Sequence, residues 1–291
     1  MSHAHHAAFE SFWSSAALIL VALVYLRGWL RLRSADSVQG WRAGSFLLGL
    51  LLIWVAMASP LAALDQEMLT AHMIQHLLLM SVASPCILLG APVRPLLFGV
   101  PRRLVPALNR AFRSAAMQQL GTVLTNPAVC WLAAAGTLIV WHIPAVFMFG
   151  MRSEVWHGIE QASFLVSGIL FWWPVVQPWP STVKWPEWSI LLYLFLATLP
   201  CDILSGFLVF CDRVVYPLYL SSAQAFALSA LADQQRAGAL MWTCVTVIYL
   251  IAGAIVTARL LVPQRVREGS TAQPESRAVA APHTDARSMG A

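Results

Sequence analysis

The chain has 291 residues, 59% hydrophobic and only 11% charged, with a net charge of +5. Soluble domains carry about 25% charged residues, so a soluble globular enzyme is excluded as the frame and an integral membrane protein is expected. Thirteen Trp agree, because Trp favours the membrane–water interface. The basic balance calls for no nucleic acid, since cytoplasmic arginines beside anionic lipid account for it.

Runs of about 20 apolar residues mark membrane-spanning helices. Seven are expected, over residues 11–30, 42–59, 68–90, 128–149, 156–176, 188–210 and 239–262. The fold expected is therefore an all-α integral membrane bundle of seven helices. The first run lacks the preceding Lys or Arg of a signal peptide and reads as a retained span. Residues 1–10 form a short segment ahead of it, carrying His3, His5 and His6. Residues 11–262 make the membrane domain. The loop between spans 3 and 4 alternates basic and apolar residues. Two readings fit it: an amphipathic helix lying on the membrane, or a plain basic loop. Residues 263–291 are polar, small and Pro-containing, and are expected to be a disordered tail.

Fifteen of the eighteen Lys and Arg fall in the 1–2, 3–4 and 5–6 loops and the C-terminal tail. Arg152, Arg213 and Arg236 are the three on the other side. The positive-inside rule then places the N-terminus outside and the C-terminus in the cytoplasm.

Span 3 opens with LTAHMIQHLLLM, in which His72 and His76 are four residues apart. Positions i and i+4 share a helix face. His142 near the end of span 4 and His157 with Glu160 at the start of span 5 lie at the same, outer level. Asp65 and Glu67 precede span 3; Asp233, Gln234, Gln235 and Met241 flank the start of span 7. Ionisable groups within spans are candidates for function. The neutral imidazole is the metal-binding form, and a His/Met mixture with a carboxylate matches copper best. The candidate metal ligands are His72, His76, His142, His157 and Met73. Glu160, Asp233, Gln235 and Met241 are candidates to support them. The competing reading is that buried histidines hydrogen-bond between helices as packing, that the methionines are core or lipid-facing, and that Asp233 caps a helix. Cys86, Cys130, Cys201, Cys211 and Cys244 form no CxxC and read as packing residues. Cys201 and Cys211 on one helix are about 15 Å apart, beyond disulfide reach.

The stretches AHMIQHLLLMSVASPCILLGAP, WHIPAVF, WHGIEQASFLVSGILFWWPVV and DQQRAGALMW occur in this order, about one per helix. Together they resemble the CtaG-type cytochrome c oxidase assembly proteins over residues 40–262. The resemblance implies a seven-helix protein of the bacterial plasma membrane, not an enzyme, that supplies or seats copper, as Cu(I), in haem–copper oxidase. The implied partners are the oxidase catalytic subunit, periplasmic copper chaperones and the lipid bilayer. The family motifs fall on His72, Met73 and His76; on His142 and Pro144; on His157, Glu160 and Phe171–Pro174; and on Asp233, Gln234, Gln235, Gly238, Met241 and Trp242. Many family members carry His directly after the glutamate, where this chain has Gln161. Three other functions compete. A haem-binding redox protein would use the histidines as axial ligands. A copper or proton transporter needs polar residues through the full bilayer depth, and the inner halves of the spans have few. A pure scaffold needs no histidine at all. No G-x-S-x-G, P-loop or H-E-x-x-H motif is present.

Overall fold

The computed structural model describes residues 2–33, 39–178, 186–220 and 228–261; the side chains of residues 1–12 and of Glu187 are also outside the description. His3, His5 and His6, as side chains, and the tail 263–291 therefore lie outside the described residues. The protein is all-helical, with no strand among the described residues. In chain order the helices are α1 (Ser2–Arg33), α2 (Gly40–Ala58), α3 (Pro60–Leu64), α4 (Leu69–Leu77) and α5 (Ser84–Leu89), with α4 and α5 joined by a π-helical turn, Leu78–Ala83. Then come α6 (Val93–Gly99), α7 (Val105–Arg113), α8 (Ala115–Leu124), α9 (Pro127–His142), α10 (Pro144–Gly150), α11 (Glu154–Val176), α12 (Glu187–Phe210) and α13 (Ala230–Leu261). A 3₁₀ turn, Pro217–Leu220, lies between α12 and α13.

Six segments are long and apolar enough to cross a membrane, and a seventh is reached if α8 and α9, bent by 67°, count as one. In the segments Leu69–Leu89 and Glu154–Val176, 50% of the most apolar stretch is buried, against 17–28% elsewhere. These two histidine-bearing segments are thus the interior of the bundle. The α4–α5 segment packs on α2, α11 and α13, while α9 packs on α11 and α12, and α12 on α13. At the edge, α1 lies against α2 and α6.

Prolines decide where the helices depart from simple spans. Pro85 has no N–H to give the carbonyl four residues back, and its ring crowds that turn. The chain widens into the π turn just upstream, and the loosened carbonyls find other donors. Ser84 Oγ donates to Leu79 O at 2.7 Å, and Trp172 Nε1 donates to Met80 O at 3.1 Å. Span 4, expected over 128–149, is instead broken. Ile143, the residue before Pro144, is extended (φ −65°, ψ 123°), so α9 ends on His142 and α10 starts afresh. The last span begins at Ala230, earlier than expected. The loop between spans 3 and 4 forms three short helices, α6 to α8.

Two interior helices meet at Gly168. A Cβ there would stand 2.6 Å from Ser84 Oγ and 2.8 Å from the Met80 backbone. Overpacking of this kind costs about 1–3 kcal/mol. Gly168→Ala is expected to lower the unfolding free energy in detergent by that amount, read as a lower unfolding midpoint, and an unchanged midpoint would show that the π turn yields freely.

Candidate metal centre

The first turns of α4 and α11 and the last turn of α9 lie at one end of the bundle. Because α4 keeps regular geometry from Leu69 to Leu77, His72 and His76 lie one turn apart on one face, their rings edge to face and their Nε2 atoms 2.8 Å from each other. Glu160 on α11 reaches the same point: its Oε1 is 3.5 Å from His72 Nε2 and 3.3 Å from His76 Nε2. Ligands about 2.0–2.1 Å from a tetrahedral ion stand about 3.3–3.4 Å apart. The two nitrogen–oxygen separations lie close to that spacing, and the nitrogen–nitrogen separation is shorter, at hydrogen-bond distance. His72, His76 and Glu160 are 0%, 5% and 1% exposed.

The electrostatics point the same way. Both Glu160 carboxylate oxygens are buried without a hydrogen bond in proper geometry. Its ion-pair partners among the described residues are histidines alone. Burying a carboxylate without a compensating cation costs several kcal/mol. The two imidazole nitrogens hydrogen-bond to each other when one of them carries the proton; with both unprotonated, they and the carboxylate offer lone pairs to a cation at one point.

His72 also belongs to a second group. Asp65, His72 and His157 each present a donor within 4.8 Å of the others, and His157 Nε2 is 3.2 Å from Asp65 Oδ2. Asp65 lies just past α3, between two spans. Burial pushes its carboxyl above the usual carboxylate range, with neighbouring His157 opposing that shift. The Gln161 amide is 3.3 Å from His157 Nε2 and 3.2 Å from Gln75 Oε1.

His142 occupies a neighbouring place. Its Nδ1–H donates to Leu138 O at 2.7 Å, since a carbonyl can only accept. That leaves its Nε2 lone pair buried and without a hydrogen-bond partner, the tautomer a metal requires. His142 stands outside both tight groups. Together with Met73, His76, Met80, Cys201 and Met241 it lines a cavity of about 50 Å³.

The remaining sequence candidates take other parts. Met73 is 1% and Met241 4% exposed, both in the apolar core beside the imidazoles. Asp233 does not face the imidazoles with its carboxylate. It accepts from Leu69 N at 2.7 Å and Thr70 Oγ1 at 2.6 Å, so it caps α4, whose own N-cap, Met68, supplies no side-chain bond. Gln235 is exposed. Its neighbour Gln234 is the structural residue: it accepts from Val215 N at 2.7 Å and donates to Arg213 O at 3.1 Å, tying down the loop after α12. The five cysteines are free, Cys201 and Cys211 among them.

That loop roofs the cluster, a feature the sequence reading missed. Tyr216 OH donates to His142 O at 3.0 Å, occupying the carbonyl freed by the Pro144 break. Tyr219 OH donates to Asp65 O at 2.8 Å. Burial holds both phenols well above their ordinary pKa, so they act as neutral donors. Phe147 on α10 lies edge-on to His72, ring centroids 5.1 Å apart, and against Tyr216 at 4.4 Å. The signal available was YPLY, whose tyrosines are spaced as a turn and have apolar surroundings.

Fold and site together define a multi-pass membrane protein with a roofed imidazole–carboxylate cluster at one end of its bundle. Residues 23–262 match the cytochrome c oxidase caa3 assembly factor family (Caa3_CtaG), and the chain belongs to that family. It is also similar to uncharacterized proteins of Mycobacterium bovis and Mycobacterium tuberculosis, each 25% identical over 266 residues that make 86% of this chain and 38% of theirs. An uncharacterized Mycobacterium leprae protein is 22% identical over 250 residues, 81% of this chain and 36% of that protein. The chain thus spans under two-fifths of the length of these relatives. No solved structure matches it. The apolar helices and the family make it a multi-pass bacterial membrane protein.

Proposed function

We propose that the protein binds copper, as Cu(I), at the His72–His76–Glu160 cluster and helps deliver it to the catalytic subunit of a haem–copper oxidase. The observation that carries this reading is the convergence of two imidazole Nε2 atoms and one carboxylate oxygen within 3.5 Å, with that carboxylate otherwise unbonded. Imidazole alone suits several first-row metals; thioethers and a thiol favour Cu(I). Met73, Met80, Met241 and Cys201, with His142, border the cavity beside His76. The charge distribution of the loops supports an arrangement with the N-terminus outside and the cluster on the periplasmic side. Copper then arrives from periplasmic chaperones and leaves to the oxidase on that same side.

The test is complementation of a deletion strain with His72, His142 and His157 variants, reading out copper in the isolated oxidase. Oxidase with full copper from a His72→Ala strain would remove the cluster from the role. Position 161 supplies a second prediction. Gln161→His restores the imidazole that many family members carry, beside His157. It is expected to tighten copper(I) binding on the order of tenfold, the scale of a well-placed supporting group. Competition with a copper(I) chelator measures it, and an unchanged affinity would show that position 161 does not face the ion.

A further inference from the structure

We propose that the chain holds a second cation position, made by Asp65 and His157 together with His72, and that this position is the stage through which a copper ion enters and leaves the His72–His76–Glu160 cluster. This rests on the copper reading above and adds a route to it.

Three observations support it. First, Asp65 is only 1% exposed, yet neither of its carboxylate oxygens has a hydrogen bond. Its backbone is fixed by Tyr219, so the carboxylate is held in place with the His157 ring as its ion-pair partner. Second, His157 Nε2 faces Asp65 Oδ2 at 3.2 Å and the Gln161 amide nitrogen at 3.3 Å. One ring nitrogen cannot donate to the carboxylate and accept from the amide at once. A cation between Nε2 and Oδ2 uses the lone pairs of both. Third, His157 is the most exposed side chain of the two groups, at 13%, against 6% for His76, 2% for Asp65 and 1% for both His72 and Glu160. Phe147, Tyr216 and Tyr219 roof the cluster from α10 and the α12–α13 loop. Among the described residues the His157 side is accordingly the more open one.

His72 is common to both groups. An ion can therefore exchange Asp65 and His157 for His76 and Glu160 while His72 remains bound, and never has to sit uncoordinated in an apolar bundle. Oxidation state does not change in this exchange. Donors of this kind, imidazole with carboxylate, take a first-row ion such as copper or zinc.

The experiment uses the full chain in detergent, titrated anaerobically with copper(I) against a competing chelator, with folding followed by helical circular dichroism. His76→Ala/Glu160→Gln is expected to retain one copper per chain at lower affinity, and adding Asp65→Asn/His157→Gln is expected to abolish it. A folded His76→Ala/Glu160→Gln chain that holds no copper would overturn the second position. So would copper that survives the fourfold substitution. In the otherwise wild-type chain, Asp65→Asn is expected to leave capacity at one copper and slow both loading and release on the order of tenfold. Unchanged rates would overturn the route. A wild-type chain that binds no copper would instead remove the copper reading itself, and this proposal with it.

Discussion

His72→Ala is expected to be the most damaging single substitution for copper retention. His72 Nε2 is 2.8 Å from His76 Nε2 and 3.5 Å from Glu160 Oε1, and the residue also faces Asp65 and His157. Losing even an outer partner costs a metal site about 10–100-fold in affinity. Losing a ligand shared by both groups should exceed about 100-fold, equivalent to about 2.7 kcal/mol. His142→Ala should do less, on the order of tenfold, because His142 stands beside the cluster and outside both tight groups. Chelator competition on the two purified variants measures the ranking. Alanine also leaves space beneath Phe147, so His72→Asn serves as the control, expected to lose copper with a smaller loss of stability. Equal affinities for His72→Ala and His142→Ala would mean that the ion sits in the thioether-lined cavity instead.

Asp233→Ala is expected to destabilise the fold by about 3 kcal/mol. Two hydrogen bonds to a carboxylate are worth about 1.5–3 kcal/mol each, so about 3 kcal/mol is the low end of their sum, the bond to Leu69 N being the cap itself. Asp233, 0% exposed, supplies the bonds to Leu69 N and Thr70 Oγ1. α4 has no side-chain N-cap of its own, so its first turn would fray. His72 is three residues from Leu69, and copper affinity should fall together with stability. Asp233→Asn keeps one acceptor oxygen and should restore about half of the loss. Thermal unfolding in detergent, with and without copper(I), checks both. A stable Asp233→Ala chain that nonetheless loses copper would make Asp233 a ligand rather than a cap.

Much of this was legible in the residues alone. Runs of apolar residues are nearly sufficient to locate membrane helices, because an unpaired backbone group in lipid is too costly for other structures. The pairing of His72 with His76 is a property of one helix, set by its 3.6-residue period. The grouping of His72, His76, His142 and His157 at one end of the bundle followed from counting along alternating spans. The four motif stretches also pointed to the family that residues 23–262 match.

What the chain order did not contain was lateral. Nothing local to Glu160 says that its carboxylate meets two imidazoles of α4, because that depends on how α11 packs on the α4–α5 segment. Asp65 looked like a loop carboxylate and is buried against His157. Asp233 looked like a supporting group for a metal and caps a helix 164 residues away. Gln235 shares its motif and points outward. The tyrosine roof joins Tyr216 to His142 and Tyr219 to Asp65 across 74 and 154 residues of chain. Periodicity and hydropathy act along a single helix, and so the residues set the helices and the face carrying His72 and His76. Hydrogen bonds and donor convergence act between helices, and only packing brought Glu160 and Asp65 to the same imidazole.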